Sequence, residues 1–368
     1  MIILTKTYAL LLLALITASI PLTLVYNRLT LSATTEDTST DPQAQKALIN
    51  AVIEVTEFYN IYNNGLKPFN LSSLGEIYTT YPQEDPRQTL LDYKVYVSGK
   101  QVNYTLESKL GNLSLMAVLQ VNDRVIEPGE NISIRIHYKV KTNPPPTPVT
   151  KEDVLNAQWN NVSSIEYYND LIKITGLWNY SNPLIKMLSD YLWSKSNGSL
   201  GLYLLEAIRW IRENTVYYSR VPARHPVEVV IERRGDCDDD ANLLITLLRA
   251  KGIPAVLEAG LVYVKGYHRS TRIDDVIHYE IYNGGPHGWV KVYIPGMEWR
   301  PIDLTFILTE SNNPLDALNE GAYMKMPVVI IQRGLGEDYA SETVEETRRL
   351  EKLDAFLEIK ITLDLVEG

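Results

Sequence analysis

The sequence predicts an α+β fold in which helices pack on an antiparallel sheet, preceded by a small β-sandwich and an N-terminal membrane helix. Three observations carry that expectation. An uncharged apolar run opens the chain, strand-like alternation fills residues 47–143, and from residue 150 helical spacing gives way to further strands. With 368 residues, two compact units are expected after a targeting segment, because chains beyond ~250 residues tend to divide. Hydrophobic residues make up 45% and charged residues 22%, a globular composition that argues against wholesale disorder. The formal net charge is -10 and there is no long Lys/Arg run, so nucleic acid is not an expected partner.

The first element is the run from Tyr8 to Tyr26, nineteen residues without a charge between Lys6 and Arg28. As a helix it can cross a hydrocarbon layer of ~30 Å. A cleaved signal peptide competes, since Thr17, Ala18 and Ser19 suggest a processing site. Leu22, Leu24 and Val25 extend the run beyond the usual signal length, so an uncleaved anchor over residues 1–26 is preferred. Seven N-x-S/T acceptors follow, at Asn70, Asn103, Asn112, Asn131, Asn161, Asn179 and Asn197. Their clustering after an export segment predicts a single-pass cell-membrane glycoprotein with its chemistry extracytoplasmic. One cysteine, Cys237, excludes an internal disulfide framework.

Residues 27–46 are small and polar, which reads as a flexible linker. In the predicted sandwich (47–143), Ile132, Ile134, Ile136, Tyr138 and Val140 alternate with polar residues, and Tyr93, Val95 and Val97 do so before Ser98-Gly99. Pro144, Pro145, Pro146 and Pro148 form a stiff connector over 144–149. The catalytic unit is placed at 150–335. Asn182 caps a helix opened by Pro183, with Leu184, Leu188 and Leu192 as its buried stripe. Leu204, Leu205, Ile208 and Ile211 mark a second helix, and a third runs from Cys237 to Lys251, stopped by Gly252 and Pro254. Strands are expected at 255–264, 278–282, 287–294 and 299–305. Residues 336–368 give a charged helix and then an alternating strand, Leu357 to Leu365, which should complete one of the two units.

The chemistry concentrates in ERRGDCDDDANLL, where Cys237 opens a helix with Asp236 as its cap and Asp239 in the first turn. A thiol there meets the positive end of the helix dipole, which favours thiolate. A small buried hydrophobe is the plainer reading, but it fits poorly beside Asp236, Asp238, Asp239 and Asp240, since aspartates are rarely buried. The same acids oppose thiolate, so a nearby cation is required. His287 is the candidate, on a strand where it shares a face with Trp289 and Tyr293. Asp303, on the returning strand, can hold its ring, provided the connecting loop has an odd number of residues or a bulge. Tyr217 and Tyr218 are read as core aromatics more readily than as site-lining residues. A metal held by Asp238 to Asp240 is disfavoured, because consecutive acids on a helix diverge, and no cofactor is expected.

The segments RRGDCDDDANLLITLLRAKGIPA and HGWVKVYIPGMEWRPIDLTF resemble the transglutaminase-like superfamily, whose fold is similar to that of papain-type cysteine proteases. The resemblance spans about residues 150–310 and implies a membrane-anchored prokaryotic or archaeal-type member. It implies Cys237 as nucleophile, His287 as general base and Asp303 as orienting acid, while His268 and His278 precede no matching tryptophan. Asp238 stands where the animal cross-linking enzymes have Trp, Gly288 where Ala is usual, and Leu304 where Pro is common. No calcium-site pattern is evident. The expected function is a thiol acyltransferase or hydrolase acting on protein or peptide amides through a thioester, with hydrolysis ahead of cross-linking. A catalytically silent surface module of the same fold is the alternative.

Overall fold

The computed structural model describes residues 50–74, 77–109, 113–307, 313–334 and 338–367. The expected anchor 1–26, the linker 27–46 and the sequon at Asn112 lie outside the described residues. Among the described residues no helix is long and apolar enough to cross a membrane.

One mixed sheet, nine-stranded among the described residues, organises the molecule. Its long strands are β1 (Val52–Asn63), β2 (Gln88–Val97), β3 (Asn131–Thr142), β4 (Ala255–Ile273) and β5 (Ile277–Ile294). To these are added β6 (Glu298–Ile302), β7 (Val328–Arg333) and β8 (Ala355–Glu367). The order is β7-β4-β5-β8-β1-β3-β2, ending on the short strand Lys100–Gln101, with β6 also paired to β5. The β5–β8 pair is parallel, whereas β8–β1, β4–β5 and β5–β6 are antiparallel.

The strands expected to form a separate sandwich therefore continue into the sheet of the second half. A three-stranded sheet, Tyr78–Thr79, Tyr104–Lys109 and Ser114–Leu119, accompanies them. The terminal strand explains the continuity. Its alternating Leu357, Ile359, Ile361 and Leu363 are fully buried, and its two edges pair with β1 and β5, so it completes both halves rather than one.

On the helical side, α1 (Pro183–Lys195), α2 (Leu200–Asn214) and α3 (Pro226–Glu232) pack on α4 (Cys237–Arg249), which lies against β4 and β5, while α5 (Tyr339–Lys352), late in the chain, packs on β8. Asn182 accepts from the Leu184 N–H at 3.0 Å, and Pro183 fills the first helical position, as the sequence implied. Leu184 itself is 38% exposed, against expectation. Spacings of four drift around a helix of 3.6 residues per turn, and the buried stripe runs through Ile185, Leu188 and Leu192 instead. In α4, Leu243, Leu244, Leu247 and Leu248 pack with Leu257, Val290, Val292 and Ile294. Gly252, at φ +74°, then turns the chain toward β4.

The two strands expected at 278–282 and 287–294 are one, β5, running through Gly284, Gly285 and Pro286. β4 pairs with it on one edge almost throughout. On the other edge β8 covers 277–282 and β6 covers 290–294. Pro286 lies in the interval between them, where one edge carries no ladder and a residue without an N–H is tolerated. His287 follows immediately.

Candidate active site

Cys237 is the first residue of α4 and Asp236 its N-cap. The turn is tied together by side chains. The Asp236 N–H donates to Asp239 Oδ2 at 3.2 Å. Arg224 donates its backbone N–H to Asp239 Oδ1 at 2.6 Å and a guanidinium N–H to Oδ2 at 2.7 Å. Thr215 Oγ1 donates to Asp240 at 3.1 Å, and the Tyr339 hydroxyl to Asp238 Oδ2 at 2.7 Å. Gly235 leads in because a Cβ there would stand 2.4 Å from Asp240 Oδ1.

The thiol and all four aspartates are buried, which corrects the expectation that a buried cysteine fits poorly beside these aspartates. Donors aimed at the carboxyls make the burial tolerable. The one guanidinium among them cannot balance four charges, so protons must be retained. Burial, reinforced by Asp239, pushes Asp238 up to about 6. Burial and Asp236 push Asp239 up to about 8 against the pull of Arg224, and burial and Asp239 hold Asp240 well above the usual carboxylate range.

Cys237 is 3% exposed. Burial pushes its thiol well above the usual range, and the charges of Asp238 and Asp236 act in the same direction. Its sulfur and one carboxylate oxygen each from Asp236 and Asp238 lie within 4.8 Å of one another. The Gly288 N–H donates to the sulfur and opposes the rise. The helix start, expected to favour thiolate, is thus outweighed. At rest this is a neutral thiol that needs a base.

Three residues, 295–297, connect β5 to β6, with Ile294 opposite Glu298 and Val290 opposite Ile302. Continued by one residue, that register sets Asp303 opposite Trp289, on the face that His287 also uses. The odd loop that the sequence demanded is present. His287 Nε2 and Asp303 Oδ2 are 2.8 Å apart. Asp303 further accepts from the N–H groups of Phe306 (2.9 Å), Thr305 (3.2 Å) and Ala322 (3.0 Å). A carboxylate so surrounded by donors accepts from histidine too, which puts the imidazole proton on Nε2 and leaves Nδ1 as the basic nitrogen. Trp289 and Phe306 flank the ring, with centroids at 5.7 and 5.6 Å.

A buried ionic group supports this pair. The Trp289 indole N–H donates to Glu258 at 2.7 Å, Lys291 and Arg333 both bind Glu258, and both also bind Asp85. The Tyr323 hydroxyl donates to Asp85 at 2.6 Å, one residue beyond the Ala322 that holds Asp303.

The strand that carries His287 therefore runs beside the thiol, since the Gly288 N–H donates to the sulfur, and Asp303 adds to the acids that raise the thiol. His268 instead stacks on Tyr282 at 4.4 Å, and His278 contacts Ser270 at 3.0 Å. Tyr218, expected in the core, is exposed, with the guanidiniums of Arg224 and Arg234 each 5.3 Å from its ring. Arg224 and Tyr339 were missed from the sequence. Four aspartates at one helix start could have signalled the buried arginine, but nothing near residue 339 points to residue 238.

Residues 193–304 match the Transglutaminase-like superfamily. A segment of 67 residues is 34% identical to the "Uncharacterized protein YebA" of Bacillus subtilis (strain 168), spanning 18% of this chain and 9% of that protein. Among solved structures, the fold is similar to one titled "Putative Cysteine Protease from Cytophaga hutchinsonii". That likeness covers 87% of this chain and 92% of the other, at 15% identity and a TM-score of 0.53. It extends the shared fold well beyond the matched domain.

Proposed function

We propose that the protein is a cysteine enzyme whose triad is Cys237, His287 and Asp303 and whose substrates are protein or peptide amides. The observation that carries this reading is the His287–Asp303 hydrogen bond at 2.8 Å, on a strand whose next residue, Gly288, donates to the Cys237 sulfur. As the sulfur attacks an amide carbonyl, His287 Nδ1 takes the thiol proton and Asp303 stabilises the resulting imidazolium. A C–S bond forms and the carbonyl oxygen becomes an oxyanion. The Cys237 N–H, in the first turn of α4 and without an intrahelical acceptor, is suited to hold it. Collapse expels the amine, which receives its proton from Nδ1, and a thioester remains. Water then gives hydrolysis and a primary amine gives transfer, with hydrolysis favoured.

An extracytoplasmic, membrane-tethered placement belongs to the same proposal. The apolar run Tyr8 to Tyr26 supports it, as does the exposure of every sequon asparagine among the described residues: Asn70, Asn103, Asn131, Asn161, Asn179 and Asn197. One observation favours the second reading, a silent surface module: Cys237, His287 and Asp303 are only 3%, 4% and 1% exposed.

Mass spectrometry of a peptide library incubated with and without a primary amine separates these outcomes. New termini in both conditions mean hydrolysis, amine adducts mean transfer, and either should vanish in Cys237→Ala. Identical spectra for wild type and Cys237→Ala across the library would leave the silent module standing.

A further inference from the structure

Asp238, which follows the cysteine, has a partner outside the matched domain. Asp238 Oδ2 accepts from the Tyr339 hydroxyl at 2.7 Å, the Tyr339 oxygen accepts from Asn242 Nδ2 at 2.6 Å, and Asn242 Oδ1 accepts from the Trp178 indole at 2.9 Å. All four side chains are buried. The relay runs from the first turn of α5 to the residue beside the nucleophile. Asp238 also stands where strand and helix meet, since a Cβ on Gly288 would lie 3.3 Å from its own Cβ.

We propose that Tyr339, through its hydrogen bond to Asp238, is a positioning residue for the nucleophile: it holds that carboxylate against α5 and fixes the charge that faces the Cys237 thiol. The inference rests on Cys237 being the nucleophile. Several groups face Asp238. From its own turn come Cys237, Asp236 and Asp239, the last paired with Arg224. From α5 comes Tyr339, and from the strand side the Gly288 backbone, with the His287–Asp303 pair beside it.

A hydroxyl donating to a carboxylate favours its ionised form. With Tyr339 in place, Asp238, already pushed up to about 6 by burial, still ionises near neutrality, and its charge then holds the thiol protonated. Without the hydroxyl, Asp238 remains neutral to higher pH and the thiol ionises more readily. The Tyr339 ring is retained in phenylalanine, so the packing of α5 is preserved while the bond is lost.

The test is the rate of Cys237 alkylation by iodoacetamide against pH, with no substrate present, in wild type, Tyr339→Phe and Asp238→Asn. Asp238→Asn should move the thiol profile to lower pH by about one unit, tenfold in thiolate at a given pH. Tyr339→Phe should speed alkylation several-fold near neutrality and converge on wild type at alkaline pH, where Asp238 is ionised in both. Superposable profiles for wild type and Asp238→Asn would overturn the proposal, even if Tyr339→Phe did not fold. A folded Tyr339→Phe with the wild-type profile would overturn it equally. Because the readout is the thiol itself, an absence of peptide turnover would count against the enzyme reading alone.

Discussion

Asp303 shows how closely single residues are constrained at this site. Its carboxylate binds His287 and three backbone N–H groups, and Gly321 presses against it from behind. Gly321 has φ -75° and ψ 170°, a conformation open to any residue, so only space requires glycine there. A Cβ would stand 2.4 Å from the Asp303 Cβ, a clash that no flexible side-chain end can relieve. Gly321→Ala should therefore displace Asp303 and tilt the imidazole. Turnover of a peptide found by the library screen should fall by about 100-fold or more, since misplacement near 1 Å costs that much, and the overpacking should cost about 1–3 kcal/mol of stability. Unchanged kcat/KM would show that Asp303 does not orient the base. The sequence made His287 and Asp303 legible through the family resemblance and set an odd loop as their condition. The strand bounds it suggested left four residues between the strands, and only the pairing of Ile294 with Glu298 makes the loop three. The sequence could not show Gly321, whose role depends on a contact between segments distant in the chain.

At the scale of elements, β8 carries the most long-range information. Its alternating pattern was legible as a strand, but a pattern names a buried face and not the neighbours on each edge. The same gap in information left residues 47–143 looking like a separate sandwich. Likewise, Gly284, Gly285 and Pro286 read as a break, because the interval between β8 and β6 that accommodates them is set by tertiary pairing. The helices were more legible, since caps such as Asn182 and stops such as Gly252 act locally. Ile359 on β8 lies opposite Tyr59 of β1 and Tyr279 of β5, and all three are fully buried. Ile359→Ala should cost about 2–5 kcal/mol, measured by denaturant unfolding in one cooperative transition that spans both halves. Two separated transitions, with only one of them moved by the substitution, would show that the halves are stabilised independently.

The whole molecule has an unusual balance of buried acids. Burial raises Glu57 against the donated hydroxyls of Tyr138, Tyr59 and Thr80, and it raises Glu346 to about 7 against Arg349. Asp238 and Asp239 are raised as well, to about 6 and about 8, and Asp240 is raised well above the usual carboxylate range. A carboxyl that holds its proton more tightly when folded adds stability that is full below its unfolded value, 3.8 for Asp or 4.5 for Glu, and is lost as pH rises through its folded value. Five groups then act together, so the folded chain binds more protons than the unfolded one between about pH 4 and pH 8. Asp85 acts oppositely, because burial is overcome there by Lys291 and Arg333, and its contribution is lost only as pH falls below the ordinary carboxylate range. Stability should therefore peak on the acidic side and decline toward about pH 8, by an amount of order 1 kcal/mol per displaced carboxyl. Calorimetry at fixed ionic strength should find the highest midpoint near about pH 5. Asp240→Asn, which removes one titrating group while keeping an acceptor for Thr215, should flatten the decline. A midpoint that instead climbs from about pH 5 to about pH 8 would mean that these carboxyls are ionised in the folded state, and that the cluster around Cys237 is compensated by charge rather than by retained protons.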